Sequence, residues 1–548
     1  MSTNRREFVI TSAGSLVALT GAPAFIRRQG THDLVIRGGT VFAGPPNPAA
    51  EGDVAISGGK IVAIGRVTAR GTDEIDARGL AVSPGFIDIH SHGDGSIEDD
   101  PRMESVVRQG ITTIVCGQDG SSRGASRPEA TGQRPDSDVR GAFAQALASI
   151  EAAKPAVNVA SMIGLGSVRG RVVGNMDRPA TPDELGTMTR MVEAALAEGA
   201  CGASSGLEYT PGAFASRDEL IALCKPLAAR GLPYATHMRN EDDRLLDSID
   251  ESIAVARGAG CPLQISHLKT QGPRNWSRLD TVFARIEAAS RPGLQITFDR
   301  YPYIAYATGL TNLFPVWSRD GGTDAFLARL ADAAVSPRIK AETLAKVDLI
   351  GGWENVHISS VRDSTDRAAE GKRLGTYAKV VSTDPYDLTV AMLNRNRGSI
   401  GMVGFAMSEE NLDRILAHPN GMVASDGGAF AIEGPTRRGS PHPRGLGTFP
   451  RVLGRYVRER KALTLAQAIA KMTTFPATVL KLHDRGRLRV GAAADVVVFD
   501  PATVADRATF EEPFQYPTGI KVVVVNGVVA LRDGQRGSQM TGKILRQA

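Results

Sequence analysis

The chain has only four cysteines in 548 residues, Cys116, Cys201, Cys224 and Cys261, and none forms a C-x-x-C pair. That excludes a disulfide-built scaffold and makes a thiolate zinc site improbable chemistry here, so the four are expected to be inert buried thiols. No charge of one sign dominates either. Sixty-four basic against 59 acidic side chains leave a formal +5 with no basic block, which argues against a nucleic-acid binder, where charge concentrates on one surface. No stretch reaches the roughly 18 uninterrupted apolar residues of a membrane span. Histidine is sparse as well, at nine residues, and this scarcity makes the placement of each one informative.

At the start of the chain, Asn4-Arg5-Arg6-Glu7-Phe8-Val9 leads into a largely apolar run over residues 9–19 and then Ala22-Pro23-Ala24. A charged region, a short apolar region and an A-x-A pattern make residues 1–30 a signal peptide, and the paired arginines before x-Phe-Val resemble a twin-arginine signal. The expectation is an exported protein, periplasmic or secreted, with no stable membrane insertion once the signal is removed.

Both ends of the remaining chain read as short β-branched runs broken by glycine. Asp33–Val41 and Gly52–Gly65 at one end, and Ala493–Asp500 and Ile520–Ala530 at the other, predict hairpins. The two ends, residues 31–82 and 485–548, are expected to build one small β-sandwich. Between them, over 83–484, strands alternate with helices. Thr181-Pro182-Asp183-Glu184 and Ser216-Arg217-Asp218-Glu219 are capping-box patterns. A helix from 217 stops at Arg230-Gly231, and a strand over 232–236 ends at His237. A helix over 242–257 stops in Gly258-Ala259-Gly260, and a strand over 261–266 delivers His267. Successive βα units of about 30 residues predict an α/β fold, a (β/α)8 TIM barrel, whose chemistry sits at the C-terminal ends of the strands.

The residues that carry chemistry fall at those ends. In Pro84-Gly85-Phe86-Ile87-Asp88-Ile89-His90-Ser91-His92, positions i and i+2 of an extended strand share a face, so His90 and His92 can converge on one cation. A lone H-x-H is a weak signal, but His237 and His267 end two later strands, and together the four make a candidate metal site. Met422-Val423-Ala424-Ser425-Asp426-Gly427 is an apolar strand ending in an aspartate that can touch a metal and move a proton. Asp-Gly is equally a common turn, so this motif alone is undecided.

Taken in order, several segments resemble the D-aminoacylases (N-acyl-D-amino-acid deacylases) of the amidohydrolase superfamily. They are Val82 to His92, Gly110 to Val115, Ser204 to Gly212, Thr236 to Glu241, Ile265 to Lys269, Asp299 to Tyr303, Ser425 to Gly427 and His442 to Gly454. The resemblance runs over essentially everything after the signal. It implies hydrolysis of the amide of an N-acylated amino acid with a free carboxylate, of D configuration, by metal-activated water with Asp426 as general acid/base. It places zinc, as one or two divalent ions, on His237 and His267, with His90 and His92 at a second site. Lys269, Tyr301 and Arg444 would hold the substrate's α-carboxylate, and Tyr209 would line the acyl side. A D-amino-acid dipeptidase, a cyclic-amide hydrolase and a non-catalytic exported relative remain as alternatives.

The chain also departs from that pattern. The family's bridging cysteine is absent from Cys116-Gly117-Gln118-Asp119-Gly120: Asp119 holds its position and Cys116 falls three residues early. Asp119 is therefore expected to be a metal ligand, harder than a thiolate. Leu165 stands where a histidine is common, and Ala307 where a serine is expected.

Overall fold

The computed structural model describes residues 31–124, 141–290 and 293–547. The leader over residues 1–30 lies outside these described residues.

Strands from the two chain ends form one nine-stranded sheet. Its seam is the antiparallel pairing of Ala81–Pro84 with Val496–Phe499, which joins the N-terminal strands to the C-terminal ones. Two-residue turns close the hairpins on each side. Gly58-Gly59 joins Ala50–Ser57 to Lys60–Gly65, and Asn526-Gly527 joins Ile520–Val525 to Val528–Arg532; all four turn residues have positive φ. That twist matches the strands, and glycine or asparagine adopts it at little cost. Period-two alternation then divides the C-terminal strands. Val496, Val498, Val522 and Val524 share a core with Val54, Ile56 and Ile61 of the N-terminal strands, which is the sandwich interior. Val497, Val523 and Val525 face the other way, into the core of the α/β unit.

The α/β unit is a barrel of eight parallel strands. Phe86–Asp88, Ile111–Cys116 and Asn158–Ser161 pair in sequence, and Ile163–Gly164 continues the third strand onto Ala203–Gly206. Tyr234–His237, Leu263–Ile265, Ile296–Arg300 and Gly421–Val423 follow. The ring closes where the Asp426 N–H donates to the His90 carbonyl (2.8 Å) and the His92 N–H to the Gly427 carbonyl (2.9 Å). Ile87, Ile89, Val115, Ala160, Met162, Ala235, Met422 and Ala424, on or just past the first, second, third, fifth and eighth strands, pack together in its interior. The barrel is thus a packed core open to chemistry only at its rim.

Local signals place several of the connecting helices. Thr181 and Glu184 form the full capping box of helix Pro182–Ala197. Ser216 caps Arg217–Ala228 from one side only, because the Glu219 carboxylate that would complete the box is bonded instead to the buried Arg169 guanidinium at 2.5 Å. The regular βα spacing holds to Arg300 and then breaks. Between the seventh and eighth strands, residues 301–407 form an insertion with a three-stranded antiparallel sheet, Ala305–Gly309, Val356–Val361 and Ile400–Phe405, and a hydrophobic core of its own, before helix Glu409–Ala417 returns to the main core. The four cysteines are free and buried. Among the described residues no helix is long and apolar enough to cross a membrane.

Candidate metal centre and cavity

Six side chains meet at the C-terminal rim. Ligand-capable atoms of His90, His92, Asp119 and Asp426 lie within 4.8 Å of one another, and so do those of Asp119, His237 and His267. Asp119 belongs to both groups. Its Oδ2 stands 3.5 Å from His90 Nε2 and 3.4 Å from His92 Nε2, and its Oδ1 3.6 Å from His267 Nε2. On the far side, Asp426 Oδ1 is 3.1 Å from His92 Nε2 and 3.5 Å from His90 Nε2. His237 Nδ1 and His267 Nε2 approach to 3.0 Å.

The backbone is bent to achieve this. Asp119, His267 and Asp426 all take left-handed φ, at 52°, 35° and 49°. Non-glycine residues adopt that region rarely, and such strain concentrates at functional sites. Gly206 lets the Asp119 loop in, since a Cβ there would stand 2.1 Å from the Asp119 carbonyl oxygen.

Three of the four histidines have a carboxylate on the second ring nitrogen. His90 Nδ1 faces Asp299 (3.4 Å), His237 Nε2 faces Glu208 (3.3 Å) and His267 Nδ1 faces Glu241 (3.1 Å). Such partners orient an imidazole and raise its basicity toward a cation. Asp88 does the same for the eighth strand end, accepting from the Ser425 N–H (2.8 Å) and hydroxyl (2.5 Å) just before Asp426. Sequence reasoning gave none of these four carboxylates a role. Each lies within four residues of a candidate residue, and that proximity is the signal that could have found them.

The donor set fits a divalent cation. Both His90 ring nitrogens and Asp119 Oδ1 are buried without a hydrogen-bond partner, a condition costing about 1–3 kcal/mol per group if nothing else satisfies it. Four imidazoles and two carboxylates, without a thiolate, suit zinc or a neighbouring transition metal. Burial alone would push the Asp119 carboxyl up, but the facing His90 and His267 hold it well below the usual carboxylate range. Asp426 is likewise held down against burial by Arg444 and His90.

Beside the centre lies a small cavity lined by His237, His267, Asp426 and all four residues expected to touch substrate, Tyr209, Lys269, Tyr301 and Arg444. Arg444 donates from Nη1 to Asp426 Oδ2 at 2.6 Å and lies 4.8 Å from the Tyr301 ring centre. The Tyr301 hydroxyl is buried without a partner. The Tyr209 ring lies tilted against His237, its hydroxyl 3.3 Å from Nδ1. The Lys269 ammonium is already engaged, at 2.7 Å from each Glu241 oxygen and 2.6 Å from His267 Nδ1. His442 fixes the start of helix Arg444–Arg451, accepting from the Arg444 N–H at 3.0 Å while its other nitrogen lies 2.9 Å from the Ala305 carbonyl. The insertion supplies the far wall with Tyr306, Thr308, Asn312, Leu313, Lys346 and Met402. Of the other two departures flagged in the sequence, Ala307 lines this cavity, whereas Leu165 is buried in the main core.

The model of the amidohydrolase family matches residues 73–341 and 436–531. The chain is 36% identical over 522 residues to the N-acyl-D-glutamate deacylase of Alcaligenes xylosoxydans xylosoxydans, covering 94% of this chain and 96% of that protein. It is 35% identical over 521 residues to the D-aminoacylase of the same organism, covering 94% and 97%. The crystal structure of the N-acyl-D-glutamate deacylase of Bordetella bronchiseptica, complexed with zinc and a phosphonate inhibitor, superposes with a TM-score of 0.79 at 33% identity, covering 94% of this chain and all of that one. With that likeness over nearly its whole length, and a histidine–aspartate cluster at the barrel rim, this chain belongs to the amidohydrolase family, among its D-aminoacylase-like members.

Proposed function

We propose that the protein hydrolyses the amide bond of N-acyl-D-amino acids, releasing a carboxylic acid and a free D-amino acid. The observation that carries this reading is the juxtaposition at Asp426: one carboxylate faces both the His90/His92 pair and an arginine–tyrosine pair beside the cavity. His90, His92, Asp119, His237, His267 and Asp426 would hold one or two divalent ions, zinc by analogy with the Bordetella relative. A cation held there acidifies a water and polarises the acyl carbonyl.

The chain's own groups do the rest. Asp426 accepts the proton of the attacking water and delivers it to the leaving nitrogen. Arg444 and Tyr301 present a guanidinium and an unpartnered hydroxyl to the α-carboxylate, with Lys269 as a third donor, so the amide lies across the centre in one orientation. Tyr209, against His237, lines the acyl side. N-acetyl-D-amino acids should be turned over and their L enantiomers should not; absence of turnover on the whole D panel by metal-saturated protein would defeat the proposal.

Two further expectations belong to this reading. Arg444→Lys keeps the charge but loses the fork, and kcat/KM should fall by ~10²-fold as roughly 3 kcal/mol of charge-assisted bonding is lost. An unchanged kcat/KM at full metal content would show that Arg444 does not face substrate. Export by the twin-arginine route is proposed from Arg5-Arg6 before the apolar run. Replacing both by lysine should leave the precursor inside the cell, and fractionation of expressing cells reads the outcome; normal export of the double mutant rules the route out.

A further inference from the structure

Residues 427–443 start just after Asp426, end just before Arg444, and form no helix or strand. The two ends of this loop meet, since Arg444 Nη1 donates to Asp426 Oδ2 at 2.6 Å. Without a backbone ladder, a loop of this length keeps one shape only if groups outside it hold it there. Two such ties come from the barrel and its insertion. The Phe430 N–H donates to Ser105 Oγ (2.9 Å) and the Ser440 N–H to the Ser359 carbonyl (2.7 Å).

Further ties come from the sandwich. Between strands Val496–Phe499 and Ile520–Val525 the chain leaves the sheet as an arm, residues 500–519, with Ala505 and Thr518 paired through both backbone hydrogen bonds at its base. Three aromatic side chains of the arm meet the loop in turn, running antiparallel to it. The Tyr516 hydroxyl accepts from the Ile432 N–H at 3.2 Å, the Phe514 ring centre lies 5.0 Å from the Arg437 guanidinium, and the Phe510 ring meets His442 in a T-shaped contact at 4.9 Å. The arm also grips the helix that Arg444 begins. Asp506 accepts from Arg451 Nη1 at 2.8 Å, and the Val504 carbonyl accepts from Arg458 Nη1 at 2.7 Å.

Phe510 makes the contact nearest the chemistry. It lies 4.7 Å from the Phe405 ring of the insertion as well as against His442. Both ring nitrogens of the buried His442 are engaged, Nδ1 by the Arg444 N–H at 3.0 Å and Nε2 by the Ala305 carbonyl at 2.9 Å. His442 therefore brackets the first turn of the helix against the insertion, and a shift of its ring would carry the Arg444 backbone with it. We propose that the sandwich arm is a strap on the loop between Asp426 and Arg444: Phe510, Phe514 and Tyr516 are positioning residues that hold the loop, and Phe510, through His442, aims the Arg444 guanidinium at the substrate's α-carboxylate. The aiming of Arg444 rests on the function proposed above; the holding of the loop does not.

The test uses the whole zinc-loaded protein. In Phe510→Ala, KM for an N-acetyl-D-amino acid should rise by about tenfold or more, because a small misplacement of a positioning group is costly. For the corresponding carboxamide, which offers Arg444 no carboxylate, kcat/KM should stay within about twofold of wild type. Phe510→Tyr restores the ring and should recover most of the lost KM. An unchanged KM in Phe510→Ala, or an equal loss on both compounds, overturns the role at Arg444. Hydrogen exchange followed by mass spectrometry needs no substrate. Peptides within 428–443 should exchange about tenfold faster or more in Phe510→Ala, while Val496–Phe499 and Ile520–Val525, which flank the arm, keep their rates. Wild-type exchange in the loop overturns the strap, and so does equal acceleration in the flanking strands, which would mean general loosening of the sandwich. Should Phe510→Ala not fold, Tyr516→Phe removes only the hydroxyl on the Ile432 N–H and should speed exchange in the same loop; no change there overturns the proposal. Exchange does not depend on turnover, so a failure of the proposed hydrolysis would show separately, as wild-type protein inactive on every N-acyl-D-amino acid.

Discussion

Asp426→Asn is expected to lower kcat/KM by about 10³-fold or more while leaving the fold intact, since proton transfer by a positioned side chain is typically worth 10²–10⁴-fold. The replacement is isosteric, so the closing hydrogen bond from the residue 426 N–H to the His90 carbonyl remains. What is lost is the charge. Burial opposes ionisation of Asp426, and Arg444 and His90 outweigh it, so the carboxylate is ionised across the working pH range and ready to accept a proton. An amide cannot accept one. It also leaves the Arg444 guanidinium without the acceptor it holds at 2.6 Å. Arg444 therefore shifts as well, and KM is expected to rise alongside the fall in kcat. Four imidazoles and Asp119 of the same rim remain as ligands, so metal content should drop far less than turnover. The check is elemental analysis beside steady-state kinetics on one preparation. Turnover within tenfold of wild type at full metal content would mean that Asp426 serves as the Asp-Gly turn that its dipeptide alone also allows.

The residues of the rim were legible because strand ends are local events. A period-two H-x-H, a histidine ending each of two apolar runs and an aspartate before glycines can all be read without knowing which strands are neighbours. The partners behind them could not be read that way. Asp299 reaches His90 from the seventh strand to the first, and Asp88 reaches Ser425 from the first to the eighth. These are closures of a ring, set by tertiary packing. The insertion over 301–407 was hidden for a related reason. Its strands and helices carry the same amphipathic periods as a βα unit, and only their antiparallel pairing shows that they have left the barrel. Glu219 shows a local rule losing to a distant contact, since a buried guanidinium competes for its carboxylate better than a helix N-terminus does. Lys269 shows the converse limit. The chain predicts an ammonium in the clamp, but only the distances reveal that all three of its donors are engaged.

Asp119→Ala should remove metal and activity together. Among the described residues no other side chain belongs to both the His90/His92 group and the His237/His267 group, so its loss weakens both halves of the centre. Metal content should fall below half of wild type after gel filtration in metal-free buffer, with kcat/KM falling in parallel, and added zinc or cobalt should restore part of each. Removing the carboxylate also leaves the imidazoles of His90, His92 and His267 without the negative charge they face, which favours their mutual repulsion over convergence on a cation. A small loss of stability is expected besides, because residue 119 sits at φ 52° and alanine tolerates the left-handed region less well than aspartate, by roughly 1 kcal/mol. Asp119→Asn separates the two effects. Asparagine accepts the same backbone at little cost but donates no charge, so its melting temperature should match wild type while its metal content follows the alanine variant. Asp119→Cys offers a softer ligand in the same place and should shift metal preference toward zinc over manganese. If Asp119-Gly120 only turned the chain away from the barrel, the alanine variant would keep its metal and its turnover and lose only that small increment of stability; full occupancy with wild-type kinetics would end the assignment.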